Sequence, residues 1–416
     1  MKRMNVLGVV WLALCVSTVA YSEETWLSYR IPAQAESEVG YVGGDYKELT
    51  DFKPVGGLGL PKLVAADPRF GEVLGGRDVI VDKSRPDAVN WDVLWVDVNG
   101  NKRFEPGDRF ELKSEDGRWW RAVVPVEFKG EDGPRLQHLQ FGIYQGERYV
   151  AGPDGKAVPA PRRPEDKVSL YLQSAGYYFG KVKFGEKEHL LALVDANANG
   201  WFDDPPGPAR VGDQILVDSD DSGKLGADYQ HLEKLASVGK YIYVDGVYWG
   251  LSVAPDGSTI TITRPQITMG RLHLEEAAAE ITLSGTSGLF YLKKARADEP
   301  LLVPVGYYKV AEIKIARIAQ DGAAWSLSSS NRGAVGVPHV SIRTNKEPIL
   351  QAATPLTARA NVRATSPQAY FDLALMGKDG LWYRIQAGES NPPNPPSLKL
   401  RTKSGSWEKE YKFQFG

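Results

Sequence analysis

The chain has 416 residues, and its 50 Lys and Arg residues nearly balance its 52 Asp and Glu residues, so the formal net charge is −2. These charges are spread without a basic block, so nucleic acid is not an expected partner. Cys15 is the only cysteine and lies in an N-terminal apolar segment. Disulfides, thiol catalysis, iron–sulfur clusters and zinc–thiolate sites are therefore excluded from the rest of the chain.

Residues 1–22 have the three parts of a secretory signal peptide. Lys2 and Arg3 precede an apolar core from Val6 to Val16, and small residues follow at Ala20 and Ser22. The core is too short to span a bilayer, and no later stretch reaches the roughly 18 apolar residues of a membrane helix. The sequence therefore predicts export to the periplasm, the cell surface or the medium, with no membrane span after signal cleavage.

The first candidate site follows an apolar run, Val93–Val96, within "VLWVDVNGNKRFEPGDRFEL". Oxygen-bearing side chains alternate along this stretch, as they do where a loop supplies a calcium ion with six to eight oxygen ligands. Lys102 stands where a glycine usually permits the bend, and its charge and that of Arg103 predict a weakened site. The candidate ligands of loop one (residues 97–108) are Asp97, Asn99, Asn101, the Arg103 carbonyl group, Glu105 and Asp108.

A second and better candidate is "LVDANANGWFDD", which begins loop two (residues 195–213). Gly200 is at the bending position, but Pro206 stands where a closing carboxylate is needed and cannot ligate. Two residues compete to close this site: Asp213, if the Pro-rich insertion bulges out, or Asp204. The candidate ligands are Asp195, Asn197, Asn199, the Trp201 carbonyl group, Asp203, Asp204 and Asp213.

Loop three (residues 218–225, "DSDDSGKL") has the same alternation in its candidate ligands, Asp218, Asp220 and Ser222. It has no acidic residue at the closing position, which makes it the weakest of the three. Asp, Asn and Gly are also good turn formers, so ordinary turns are the alternative interpretation of all three loops. A turn does not require the alternation at positions 1, 3 and 5, and its occurrence in both loop one and loop two favours calcium.

The pattern of the whole chain predicts a mostly β fold. Phe-Gly-x-Val, an apolar strand and an Asp-Asn loop occur in both residues 70–112 and residues 179–217, which indicates two related β modules with strand-joining Asp/Asn loops. The predicted units are a signal peptide (1–22), a first module (23–151), a second module (167–270) and a C-terminal β-sandwich-like domain (271–416). Hairpins are expected at Asp245-Gly246 and Asp256-Gly257. Helices are expected only at 229–236 and, ambiguously, at 274–281.

Loop two resembles the calcium loop of the EF-hand family over about nine residues, but the flanking segments look like strands rather than helices. The order of parts resembles secreted bacterial proteins of unknown function that carry such loops between β-strands. This resemblance implies export and Ca²⁺ and brings no known activity.

Two functional hypotheses remain open. The first is a structural or binding module of the cell envelope, ordered by calcium, with polysaccharide or another envelope protein as partner. The adjacent Trp119 and Trp120 support it, since neighbours on a strand point to opposite faces and one could stack on a sugar ring. The alternative is a calcium-dependent extracellular hydrolase acting on polysaccharide, which requires two carboxyl groups about 5–10 Å apart in a concave pocket. The sequence does not decide whether the protein is an enzyme, and it favours a protein without enzymatic activity.

Overall fold

The structure is a computed structural model. It describes residues 21–31, 45–51, 59–74, 76–130, 133–145, 148–151, 157–160, 168–207, 212–225, 234–275, 279–294, 299–318, 324–329, 338–351, 355–365, 368–387 and 397–412. Within these ranges the fold is all-β, and no helix has the length and apolar character to cross a membrane. The expectation of a mostly β chain is confirmed.

The strands are numbered in chain order, and the first nineteen precede residue 264. The first twelve are β1 (Ser22–Trp26), β2 (Ser28–Arg30), β3 (Asp45–Leu49), β4 (Arg69–Val73), β5 (Arg77–Asp82), β6 (Val93–Val96), β7 (Arg109–Glu111), β8 (Trp119–Gly130), β9 (Gly133–Tyr144), β10 (Arg148–Ala151), β11 (Ala157–Ala160) and β12 (Val168–Ser174). The next seven are β13 (Tyr177–Phe184), β14 (Lys187–Val194), β15 (Gln214–Val217), β16 (Leu235–Ser237), β17 (Tyr241–Val244), β18 (Val247–Val253) and β19 (Thr259–Thr263). A 3-10 turn covers Pro106–Asp108.

Two four-stranded meanders carry the loops. The first has the order β4-β5-β6-β7, and the second has β13, β14, β15 and β16 as successive neighbours. Each shares a buried core with another sheet: the first with β3-β12-β9-β8 through residues such as Leu94 and Phe141, the second with β1-β19-β18-β17 through Ile215 and Ile260. Apolar residues of these strands supply the buried faces, and every residue of β5 is buried.

Sheet membership does not follow the chain order of the two predicted modules. β1 pairs with β19, and β2 pairs with β13, so the N-terminal strands complete sheets formed by residues 177–263. β12 instead pairs with β9 and β3 of the first group. The sheets β4-β5-β6-β7 and β3-β12-β9-β8 form a first group of strands, and the sheets that contain β13–β16 and β17–β19 form a second group. Each group therefore includes strands that the chain order would place in the other.

The remaining strands follow residue 264. They are β20 (Met269–Leu274), β21 (Ala279–Gly285), β22 (Gly288–Lys293), β23 (Leu301–Pro304), β24 (Gly306–Ile318), β25 (Ala324–Ser329), β26 (His339–Ile342), β27 (Ile349–Leu350), β28 (Thr357–Thr365), β29 (Gln368–Met376), β30 (Trp382–Ala387), β31 (Ser397–Arg401) and β32 (Glu408–Lys412). Most belong to one large antiparallel sheet, and β20 pairs in parallel with β27. Leu272 of β20 and Val303 of β23 share a core with Leu283 and Val310 of that sheet.

The predicted helix at 274–281 is wrong. Leu274 ends β20 and Ala279 begins β21, where buried Ala279 and Ile281 alternate with half-buried Glu280. Packing in the core overrides the helix propensity of the Ala-rich run. Of the other predicted helix, 229–233 lies outside the described residues, and Leu235 and Ala236 belong to β16.

Candidate functional site

Each of the three loops joins neighbouring antiparallel strands. Loop one connects β6 to β7, loop two connects β14 to β15, and loop three connects β15 to β16. Loops one and three therefore follow the third strand of their meanders, while loop two follows the second. By strand order, the counterpart of loop one is loop three rather than loop two.

Loop one is held by a set of hydrogen bonds from its backbone to its own side chains. The carboxylate of Asp97 accepts from the N–H groups of Asn101 (3.0 Å) and Lys102 (3.1 Å). The Asn99 side-chain oxygen accepts from Asn101 N–H at 3.0 Å, and that of Asn101 accepts from Arg103 N–H at 2.8 Å. Position 1 thus bonds positions 5 and 6, position 3 bonds position 5, and position 5 bonds position 7.

Loop two has the same pattern. Asp195 accepts from the N–H groups of Asn199 (3.2 Å) and Gly200 (2.8 Å), Asn197 accepts from Asn199 N–H (3.1 Å), and Asn199 accepts from Trp201 N–H (2.8 Å). Positions 4 and 6 have positive φ in both loops. The four residues are Gly100 (69°), Lys102 (61°), Ala198 (56°) and Gly200 (92°). Lys102 therefore adopts the left-handed conformation that a glycine would adopt more easily.

The carboxylate of Asp108 closes loop one from the far side. It accepts from the N–H groups of Val98 (3.3 Å) and Glu105 (2.8 Å), while Asp108 N–H donates to the Glu105 carbonyl group at 3.0 Å. The Glu105 carboxylate accepts from the Asn101 side-chain amide at 3.3 Å. Burial raises the pKa of Asp108, although the two backbone donors partly oppose this.

Asp213 occupies the corresponding place in loop two. It accepts from the N–H groups of Ala196 (3.2 Å) and Asp204 (2.9 Å), and its own N–H donates to the Asp204 carbonyl group at 2.8 Å. Asp204 takes the role of Glu105, since its carboxylate accepts from the side-chain amides of Asn197 (2.9 Å) and Asn199. The two competing candidates are thus brought together by the hydrogen bonds between Asp213 and Asp204.

Asp203, by contrast, is exposed, and none of the hydrogen bonds or ion pairs of the described residues involves it. The one-residue shift from Asp203 to Asp204 comes from an extra residue between position 5 and the closing segment, which spacing alone did not reveal.

Two carboxyl groups of loop two, those of Asp195 and Asp213, have strongly raised pKa values. Asp195 and Asp213 are 0% exposed. Burial raises the pKa of Asp195 to about 7, and burial together with the charge on Asp195 raises the pKa of Asp213 to about 9. Among the described residues, no Lys or Arg side chain contacts Asp195, Asp204 or Asp213. The site therefore gains from a cation or from protons.

Comparisons with protein-family models, with curated proteins and with solved structures give no match.

Donor chemistry in loops one and two fits calcium, although the side chains do not already converge. Within the described residues, no group of three or more His, Cys, Asp or Glu side chains is arranged to hold a metal ion. In loop two, Asp204 turns toward the amide groups of Asn197 and Asn199. Asp204 would therefore have to rotate toward the other oxygen donors in order to bind a calcium ion. Those donors are carboxylates, Asn side-chain oxygens and backbone carbonyl groups.

Loop one carries nearby positive charge, as its sequence suggested. Lys102 is directed away from the loop, to Asp78 at 3.0 Å and to the Gly76 carbonyl group. Arg77, which sequence reasoning missed, donates to the carbonyl groups of Asp97 (2.9 Å) and Val98 (2.7 Å) and to that of Glu127 on β8. It fixes the start of loop one against the facing sheet.

Loop two also packs against that sheet. Gly200 lies against the ring of Phe128, Ala198 belongs to the core of the first group of strands, and the Arg135 guanidinium lies 4.4 Å from the Trp201 ring centroid. A cavity of about 500 Å³ adjoins the loop. Its lining residues are Lys47, Glu72, Val73, Leu74, Leu172, Asn197, Ala198, Asn199 and Trp201, of which only Glu72 carries a carboxyl group. The carboxylate pair of the hydrolase hypothesis is not among them.

In loop three, the candidate ligands Asp218, Asp220 and Ser222 all lie near the ammonium group of Lys234. Sequence reasoning missed Lys234, because it lies beyond the loop at the start of the next strand.

An aromatic strip runs across the sheet β3-β12-β9-β8. Its members are Tyr46, Tyr171, Trp119 and Tyr144, with ring centroids 4.8, 6.2 and 5.3 Å apart in that order. Tyr46 is 59% exposed and Tyr144 is 40% exposed. Trp120 points to the other face and packs against the core, and both tryptophans are half-buried. Tyr171 is buried, so the exposed parts of the strip are Tyr46, Tyr144 and part of Trp119.

Proposed function

We propose that the protein is an exported β protein that binds calcium in loops one and two, where the metal has a structural role. The proposal includes the organisation into two related β modules and a C-terminal β-sandwich-like domain. The observation that carries it is the pair of fully buried carboxyl groups of Asp195 and Asp213, since neither forms an ion pair with a described Lys or Arg side chain. Calcium would supply the missing positive charge.

The residues that would hold the ions are the oxygen donors of each loop. In loop two these are Asp195, Asn197, Asn199, Asp204 and Asp213, with the Trp201 carbonyl group as a further donor. Loop two is the tighter site in this proposal, because Lys102 and Arg77 raise the positive potential around loop one.

Calcium titration calorimetry and thermal unfolding test this proposal. With a Kd of about 10⁻⁴–10⁻³ M, 10 mM calcium stabilises the folded form by about 1.4–2.7 kcal/mol per site relative to chelator. Asp195→Asn is expected to lose most of this gain at loop two. Asp203→Asn is the matched control, because Asp203 is exposed and nearby. Absence of calcium uptake by the unaltered protein would reject the proposal.

We further propose polysaccharide as the partner, bound on the aromatic strip, since sugar rings stack on exposed aromatic faces. Co-sedimentation with insoluble polysaccharides tests this. Trp119→Ala is expected to lower binding at least tenfold, whereas Trp407→Ala, which removes an exposed tryptophan from β31–β32, leaves it unchanged. Equal binding by both variants, or no binding by the unaltered protein, contradicts this assignment.

A further inference from the structure

Loop three contains a positively charged group at its centre. The Lys234 ammonium lies 2.7 Å from a carboxylate oxygen of Asp220 and 3.6 Å from one of Asp218. It also donates to the Ser222 hydroxyl at 2.9 Å and to the Lys224 carbonyl group at 3.0 Å. Lys234 is only 5% exposed, so these contacts replace most of the water around its charge.

These four oxygens belong to positions 1, 3, 5 and 7 of the loop, the positions from which a calcium loop supplies its ligands. The backbone of loop three also matches that of the other loops. Asp218 accepts from the N–H groups of Ser222 (3.0 Å) and Gly223 (2.7 Å), and φ is positive at Asp221 (54°) and Gly223 (73°). A calcium-type loop is therefore built around an ammonium group.

We infer that Lys234 is the built-in cation of loop three, taking the place of a metal ion, so that this loop is ordered without calcium. The ammonium group supplies three N–H donors and one positive charge to a loop that lacks an acidic closing residue. The hydrogen bond from Lys234 lowers the pKa of Asp220, consistent with its interaction with the ionised carboxylate.

The position of Lys234 explains how the loop is tied to its sheet. It immediately precedes β16, which pairs with β15, the strand from which loop three departs. The lysine thus connects the end of one strand to the start of its neighbour across the loop. This inference concerns loop three alone and does not depend on calcium binding by loops one and two.

Replacement of the ammonium group tests the inference. Lys234→Met keeps the apolar stem and removes the charge, and Lys240→Met is the matched control because Lys240 is exposed. In chelator, Lys234→Met is expected to lower the Tm by at least about 4 °C relative to the control. Its loop is then expected to bind one more calcium equivalent than the unaltered protein, with recovery of the Tm. Lys234→Met/Asp218→Asn is expected to lose that extra equivalent.

Two outcomes overturn the inference: an unchanged Tm and calcium stoichiometry in Lys234→Met, or loss of a calcium equivalent when Asp218→Asn is introduced into the unaltered protein. If Lys234→Met does not fold, acetylation of the unaltered protein followed by mass spectrometry decides instead. Lys234 is expected to be protected at least tenfold relative to Lys240, with and without calcium, and equal modification refutes the inference. Failure of the calcium proposal is seen separately, as no uptake by the unaltered protein.

Discussion

The replacement Gly212→Ala tests the closure of loop two without altering any proposed ligand. A Cβ atom at Gly212 would lie 2.3 Å from the Pro206 nitrogen, 2.5 Å from the Pro205 carbonyl carbon and 2.7 Å from the Asp204 carbonyl oxygen. These are backbone atoms, which cannot turn aside as a flexible side chain does. The segment that carries Asp213 must therefore move away from the segment that carries Asp204.

The size of the effect follows from the distances. Ordinary contact between such atoms is about 3.5 Å, so the two segments must separate by roughly 1 Å. The hydrogen bonds between Asp213 and Asp204, at 2.8 and 2.9 Å, then exceed the hydrogen-bonding range. One of them involves a carboxylate. Their combined loss is expected to lower the free energy of unfolding by about 2–4 kcal/mol.

Loop one supplies the matched control, because Gly107 precedes Asp108 as Gly212 precedes Asp213. A Cβ atom at Gly107 would meet nothing within 4 Å. Gly107→Ala is therefore expected to change stability by less than about 1 kcal/mol. Both variants are measured by urea unfolding in chelator and in calcium, and calorimetry should show at least a tenfold weaker calcium site in Gly212→Ala. If the two variants are equally stable under both conditions, the close approach of Asp213 to Asp204 is refuted.

Three further predictions concern the surroundings of the loops. In chelator, the free energy of unfolding should fall as pH rises from 5 to 9. The folded-state pKa values of Asp195 (about 7) and Asp213 (about 9) exceed the unfolded value of about 3.9, so the folded protein binds more protons. The free energy should fall by up to about 1.4 kcal/mol per pH unit for each group that titrates. Calcium should flatten this dependence, and a profile that is already flat in chelator contradicts the pKa assignments. Arg77→Ala should lower the free energy of unfolding by about 2–4 kcal/mol. Arg77→Lys should restore less than half of that loss, because three carbonyl groups need a forked donor. Full restoration by Lys in urea unfolding would be inconsistent with this geometry. Gly200→Ala should lower the free energy of unfolding by about 2–4 kcal/mol, because φ is 92° at Gly200 and the added Cβ would lie 2.3 Å from the Phe128 ring. A loss below about 1 kcal/mol would contradict that packing.

The parts of the fold and site that the sequence predicts well are those encoded by local pattern. Alternation predicts β17, β18 and β19, and Asp-Gly predicts the hairpin between β17 and β18, where Asp245 and Gly246 both have positive φ. Ligand-type side chains at positions 1, 3 and 5 are also local, and the backbone hydrogen bonds of the loops follow from them.

Non-local pairing accounts for what the sequence does not reveal. Lys234 reaches loop three because β16 pairs with β15, a contact that spacing along the chain does not specify. Similarly, Arg77 reaches loop one because β5 pairs with β6. β1 belongs to the second group of strands because it pairs with β19, which lies more than a hundred residues further along the chain. No short-range pattern encodes that pairing.

The three loops share one backbone conformation, but they differ in how the charge of the buried carboxylate at position 1 is compensated. In loop three the compensating charge is the Lys234 ammonium group. In loop one, Arg77 binds the carbonyl groups behind Asp97, while Lys102 pairs with Asp78. Loop two has neither among its described neighbours, and in the absence of a cation the raised pKa of Asp213 keeps that carboxyl group protonated at neutral pH. An uncompensated buried carboxylate costs several kcal/mol. In the proposal made above, calcium that displaces this proton gains most in loop two, and the basic residues around each loop, rather than the Asp/Asn pattern that the loops share, would determine which loops need a metal ion.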